Sequence, residues 1–200
     1  MEKGKLFSRF CSFRLAMVSR SDALKLVREH VGDERLVKHM IAVGAIMRGL
    51  AEYFGEDADV WEVVGILHDI DYEYTKDRPE LHGLKSAEIL EGVLSDNLLE
   101  TIKAHNYEHT GVEPSKRIDY ALIAADAISG LIVACALVMP NKKLSEVKVR
   151  TVLKKFKSKD FARNVRRDKI LFCEKLGLSL EEFVEIALRS MRDVAEELGL

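Results

Sequence analysis

An apolar period close to 3.6 residues runs almost unbroken from Asp22 to the end of the 200-residue chain. A helix brings residues three and four apart onto one side, so this pattern has to be folded as helices sharing an apolar interior. There is no period-two stretch of the kind a half-buried strand needs, and no hairpin signal. Pro79, Pro114 and Pro140 are the only prolines, and all three fall between predicted helices, where a missing N–H costs nothing.

The predicted helices follow from caps and period. Ser19 or Ser21 opens the first, which carries Leu24, Val27 and Val31 and stops at Gly32. The second runs from about Asp33 to Phe54, with Gly55 at its end, and the third starts at Asp57 or Asp59 and passes through Trp61, Val64 and Leu67. A fourth is expected over Leu81 to Leu94, a fifth is capped by Asp96, and a sixth follows Pro114 towards Val138. Further on, Ser145 reads as an N-cap with Leu144 and Val149 as a staple. Ser179 and Glu182 form a capping box, stapled by Leu178 and Phe183, that opens the last helix to Leu198. No repeat or long linker divides the chain. The expectation is one all-α bundle of eight or nine helices over residues 17–200, with a core at about 33–130 and basic helices at 142–200.

Composition narrows the function. Apolar residues make up 48% and charged residues 32%, which excludes a disordered chain and a membrane bundle. The longest apolar stretch, Ile128 to Met139, is interrupted by Ser129 and Gly130 and is too short to span a bilayer. Three scattered cysteines (Cys11, Cys135, Cys173) form no disulfide framework and fit a reducing, cytoplasmic compartment. Formal net charge is −2, but twelve basic and three acidic residues lie between Lys142 and Lys169, so a +9 segment stands against a −11 remainder. Phe156 and Phe161 interleave with these charges. A phosphate-rich ligand, RNA included, fits such a segment. An ordinary helix face, or an interface in an oligomer, fits it as well, because Val149, Val152, Leu153 and Phe156 make a core stripe with lysines around it.

Residues 1–16 carry Lys3, Lys5, Arg9 and Arg14 with Phe7, Phe10 and Phe13 between them. Arg9 and Arg14 break any secretory apolar run. An amphipathic or targeting segment is one reading. The preferred one is an extension upstream of a natural start at Met17, and no function is drawn from it.

The functional signal lies in polar residues on apolar helix faces. His39 lies three after Leu36 and four before Val43; His105 lies seven after Leu98 and three after Ile102; His68 follows Val64 by four and neighbours Asp69. Asp126 sits four after Leu122 in an almost wholly apolar stretch, and His82 opens the predicted fourth helix. A buried Asp is costly unless paired or metal-bound, and a buried imidazole needs partners for both nitrogens. Gathered around a divalent cation, these groups satisfy one another. One such histidine alone is usually a hydrogen-bonded core residue, and the His-Asp pair alone says little. The ordered set His39, His68-Asp69, His82, His105, Asp126 carries the metal reading, while His30 and His109 read as surface residues.

That order, each group on a helix, resembles the HD superfamily of metal-dependent phosphohydrolases. Gly65-Ile66-Leu67-His68-Asp69-Ile70 is similar to its central motif. His82-Gly83-Leu84-Lys85-Ser86-Ala87 and Ile102-Lys103-Ala104-His105-Asn106 are similar to the added histidine motifs of its binuclear branches. The resemblance covers about Leu36 to Ser129, and the region after it resembles a widespread prokaryotic HD subgroup. It implies one metal held by His39, His68, Asp69 and Asp126, with Asp69 bridging to a second held by His82 and His105. Without sulfur ligands, iron, manganese, cobalt, nickel, magnesium and zinc all stay open. Where many members read His-Asp-Ile-Gly-Lys, this chain has Asp71 and Tyr72. Asp71 or Lys85 is then a candidate to supply a proton or orient a phosphate, against a plain solvated loop for Asp71, Glu73 and Asp77.

The implied activity is hydrolysis of a nucleotide or other small phosphoester, a dinucleoside polyphosphate being one specific version. A di-iron oxygenase and a non-catalytic nucleotide- or RNA-binding protein are the alternatives. No phosphate-cradling Gly-rich loop, Gly-x-Ser-x-Gly motif or Cys-His pair competes for the catalytic role.

Overall fold

The computed structural model describes residues 18–200, and the 1–16 extension lies outside them. Among the described residues every regular element is helical, and the nearest thing to a strand is an isolated bridge between Glu91 and Leu94. In chain order the helices are α1 (Arg20–His30), α2 (Glu34–Phe54), α3 (Ala58–Leu67), the single turn α4 (Tyr72–Thr75) and α5 (Leu84–Ile89). Then come α6 (Asp96–His105), the single turn α7 (Tyr107–Thr110) and α8 (Arg117–Leu137). The chain ends with α9 (Val149–Lys157), the single turn α10 (Arg167–Ile170), α11 (Leu180–Asp193) and the single turn α12 (Ala195–Leu198). Eight of these exceed one turn, within the expected eight or nine.

Two 21-residue helices organise the packing. α2 lies most extensively against α3 and also meets α8, α11 and α12, while α8 touches α2, α6, α9, α10 and α11. The α2–α3 contact is close because two glycines face each other. A Cβ on Gly65 would stand 2.8 Å from the Gly44 Cα, so only hydrogen fits at that crossing. Glu62 of α3 is buried between two guanidiniums, with Arg20 Nε 2.8 Å from one oxygen and Arg48 Nη1 2.8 Å from the other. Arg20 also pairs with Glu197 at 2.8 Å, which ties the start of α1 to α12.

α8 is long and apolar enough to cross a membrane by length and composition, although its longest apolar run in the sequence is short. The polar breaks at Ser129 and Gly130 do not interrupt the helix. Most of it is buried inside the protein instead, where Leu122, Ile128, Leu131 and Ile132 are fully covered.

Several boundaries differ from the sequence expectation. Ser19, not Ser21, caps α1, closing a box with Asp22. Asp96 is the first residue of α6, with Ser95 at the cap position. Ser145 lies inside a 3₁₀ turn (Leu144–Glu146), and Lys148 precedes α9 without a side-chain cap. The box of Ser179 and Glu182 on α11 is as expected, with Leu178 and Phe183 buried beside it. That helix stops at Asp193 rather than continuing to Leu198.

The largest difference is the fourth helix, shortened to Leu84–Ile89. A 3₁₀ turn (Pro79–Leu81) comes first, His82 is extended, and Gly83 has φ +85°, a conformation that favours glycine. In the basic segment, Val152 is buried and Val149, Leu153 and Phe156 pack on the core. Part of the charge is spent inside the protein: Arg167 donates to the carbonyls of Ser158, Phe161, Ala162 and Val165, and Arg166 pairs with Glu108 and Asp168.

Candidate metal centre

Two of the histidines are placed by the same local device. His68 caps the end of α3 and His105 is the last residue of α6. Carbonyls at a helix end have no partner within the helix. Each imidazole turns back to the carbonyl three residues earlier: His68 Nδ1 donates to the Gly65 oxygen at 2.7 Å, and His105 Nδ1 donates to the Ile102 oxygen. A carbonyl only accepts, so the proton is on Nδ1 and Nε2 is left as a bare lone pair.

His82 and His39 have Nδ1 engaged by other means. His82 Nδ1 lies 2.8 Å from an Asp71 oxygen, and a carboxylate likewise only accepts. His39 Nδ1 lies 3.2 Å from Ser129 Oγ, whose own proton goes to the Asp126 carbonyl at 2.8 Å. All four Nε2 atoms point to one place. Its centre is Asp69, with Oδ1 3.3 Å from His68 Nε2, 3.2 Å from His82 Nε2 and 3.5 Å from His105 Nε2, and Oδ2 3.7 Å from His39 Nε2. Asp126 Oδ1 adds a second carboxylate 3.1 Å from His39 Nε2.

Ring nitrogens brought this close need a proton or a cation between them. The His82 and His105 Nε2 atoms are 3.0 Å apart, and His68 Nε2 is fully buried with no hydrogen-bond partner among the described residues. An orphaned buried acceptor is costly in a core and ordinary in a metal ligand. Two groups can hold an ion, His39–His68–Asp69 and Asp69–His82–His105, with the ligand atoms of each within 4.8 Å of one another. Asp69 belongs to both.

The charges respond as a cation site would make them. Burial holds the His68 pKa below its usual value, which keeps that ring neutral. Burial also opposes charge on His82, but the Asp69 and Asp71 carboxylates outweigh it and lift its pKa to about 10. His39 is raised too, burial being outweighed by Asp126. Burial pushes Asp69 and Asp126 upward, yet the surrounding imidazoles bring both below the ordinary carboxylate range. In the metal-free chain, protons stand in for the cation.

The other singled-out residues lie elsewhere. Asp71 is fully buried, which corrects the solvated-loop reading. One of its oxygens faces His82, and the other accepts from the Gly83 and Ser86 N–H groups at 2.8 and 2.9 Å. Both oxygens are therefore occupied behind the ligand rather than open to a substrate. Lys85 is at the surface, paired with Glu88 at 2.6 Å. Glu73 accepts from the Gly32 and Asp33 N–H groups, and Asp77 is exposed. His30 meets the Tyr74 hydroxyl and His109 meets Asn106, both apart from the cluster.

Three supporting residues were given no role in the sequence reading: Ser129 behind His39, Ser86 with its hydroxyl on the His68 carbonyl, and Asn106. Asn106 donates to the Pro79 and His82 carbonyls and fixes the turn that carries His82. Ser86 and Asn106 lie inside the two quoted histidine motifs, which is the signal that could have found them; Asn106 is itself buried.

Fold and site together define an all-helical protein with a buried imidazole–carboxylate cluster that could hold a metal ion. The family model described as the HD domain matches residues 36–131, a span that contains all six residues of the cluster, so this part of the chain is similar to the HD superfamily. No curated protein and no solved structure matches the chain.

Proposed function

We propose that the protein hydrolyses a phosphoester or phosphoanhydride bond of a nucleotide or other small phosphorylated substrate at a binuclear His/Asp centre. The observation that carries this reading is the Asp69 carboxylate, shared by two ligand groups whose four Nε2 atoms converge on it. His39, His68, Asp69 and Asp126 would hold one metal, and Asp69, His82 and His105 a second. Bound divalent metal supplies a water activated near neutral pH and charge to stabilise the leaving oxygen.

The chain's own residues do the rest. Backbone carbonyls, Ser129 and Asp71 keep the four rings aimed inward, so little reorganisation is needed on loading. His68 and His105 are buried, whereas the His39 and Asp126 side chains are 25% and 30% exposed, so a substrate approaches over that rim. Tyr72 stands exposed beside His82 with its ring perpendicular at 5.8 Å, where it can flank a planar group. The free buried thiols Cys135 and Cys173 support a reducing, cytoplasmic setting for this enzyme.

The test is metal analysis of the purified protein, then a nucleotide and phosphoester screen with each candidate metal. Asp69→Ala is expected to keep its thermal unfolding transition and lose activity by about three orders of magnitude or more. Full activity in Asp69→Ala overturns the reading. Oxygen-dependent turnover by an iron-loaded sample would replace it with the oxygenase alternative. Salt-sensitive RNA binding that survives Asp69→Ala, without hydrolysis, would replace it with a binding module.

A further inference from the structure

The four imidazoles are not held alike. His68 and His105 rest on backbone carbonyls, which no substitution at those positions removes, and His39 rests on the neutral Ser129 hydroxyl. Only His82 depends on a charged side chain, and that side chain is bound on its far side by two backbone N–H groups.

We propose that Asp71 is a positioning residue that creates the second metal position, Asp69–His82–His105, by fixing the His82 proton on Nδ1 and so keeping Nε2 free to ligate. This rests on the binuclear reading above and goes beyond it, because it makes the two positions unequal. The first is supported by backbone and a serine; the second depends on one carboxylate that touches no metal.

The geometry makes an unusual prediction about substitutions. The Gly83 and Ser86 N–H groups both donate to Asp71 Oδ2. In Asp71→Asn these two donors demand the amide oxygen, so the NH₂ must face His82. His82 Nδ1 then has to accept, its proton moves to Nε2, and that atom is the one 3.2 Å from Asp69 and 3.0 Å from His105 Nε2. The near-isosteric substitution thus turns the ligand the wrong way. Asp71→Ala removes the clamp without imposing the wrong tautomer, although it also strips two N–H groups at the start of α5 of their acceptor. A merely structural role for Asp71 gives the opposite order, with Asn close to wild type and Ala worse.

The experiment is cobalt(II) binding to metal-free wild type, Asp71→Asn and Asp71→Ala by equilibrium dialysis, with visible spectra to report coordination and circular dichroism to confirm folding. Wild type is expected to bind two ions per chain. Both variants should keep the first, and Asp71→Asn should lose about 10- to 100-fold in affinity for the second, more than Asp71→Ala loses. Equal second-site affinity in wild type and Asp71→Asn, or a greater loss in Asp71→Ala, overturns the inference and leaves the functional reading standing. A wild type that binds one ion or none overturns the binuclear reading and this inference with it. Should Asp71→Asn fail to fold, ¹⁵N spectra of the zinc-loaded wild type test the same point. A proton on His82 Nδ1 supports the assignment, and a proton on Nε2 overturns it.

Discussion

Cys135 and Cys173 show how burial alone sets the chemistry of a residue. Both thiols are buried in the core, and that burial pushes each up to about 11. At pH 8 the thiolate is then roughly a thousandth of the population, and the reagent has no access besides. Neither cysteine is expected to be alkylated by iodoacetamide at pH 8 in the native protein, while both react in denaturant; peptide mass spectrometry reads the outcome directly. The histidines of the metal centre are governed by charge as much as by burial. His39 and His82 hold protons more tightly than a free imidazole, because carboxylates face them. A metal must displace those protons, so loading releases protons and apparent affinity falls as the pH is lowered. Calorimetric titration with manganese(II) in buffers of different ionisation enthalpy measures the release, and a pH-independent affinity would contradict it.

At the scale of elements, the site depends on how closely α2 and α3 cross. Gly65 does two things there: its missing side chain lets Gly44 approach, and its carbonyl holds His68. In Gly65→Ala the new Cβ meets backbone atoms of Gly44, which cannot rotate away. The helices must separate, at a cost of about 1–3 kcal/mol in denaturant unfolding, with weaker metal binding through the shifted His68. Gly130→Ala on α8 is the matched control. Its nearest neighbour is Val165 at an ordinary 3.5 Å, so it should be neutral or stabilising by up to about 1 kcal/mol through helix propensity.

The same crossing explains what the sequence could and could not show. His39, His105 and Asp126 stood on apolar faces of helices set by period and caps, so their convergence was legible. The support of His82 was not. It runs across eleven residues, through a 3₁₀ turn and a left-handed glycine, and periodicity says nothing about such a path. The expected helix over Leu81–Leu94 failed for the same reason, because Asp71 caps α5 only once tertiary structure has brought it there. Ser145 misled in the other direction: a cap and staple pattern was present, and the chain used it for a 3₁₀ turn.

On the scale of the whole molecule, the proposed ligands come from α2, the end of α3, the turn before α5, the end of α6 and the middle of α8. A cation there joins elements that are far apart in sequence, so loading should stabilise the global fold. A metal present at a hundred times its dissociation constant adds about 2.7 kcal/mol, or roughly 5–10 °C in Tm for a chain of this size. Thermal unfolding with manganese(II) and with EDTA measures the difference, which Asp69→Ala should abolish. An identical Tm in both conditions for wild type would contradict it.

The family match ends at residue 131, inside α8, yet α8 continues to Leu137 and is covered by α9, α10 and α11. A chain cut at the family boundary would therefore bare much of this long apolar helix. Asp126 gives that helix a second significance during synthesis. A carboxylate near the middle of an emerging apolar segment adds roughly 2.5–3.5 kcal/mol to its transfer into a bilayer. The side chain proposed to complete the first metal position would thus also bias α8 against insertion into a bilayer while its partners are still being made.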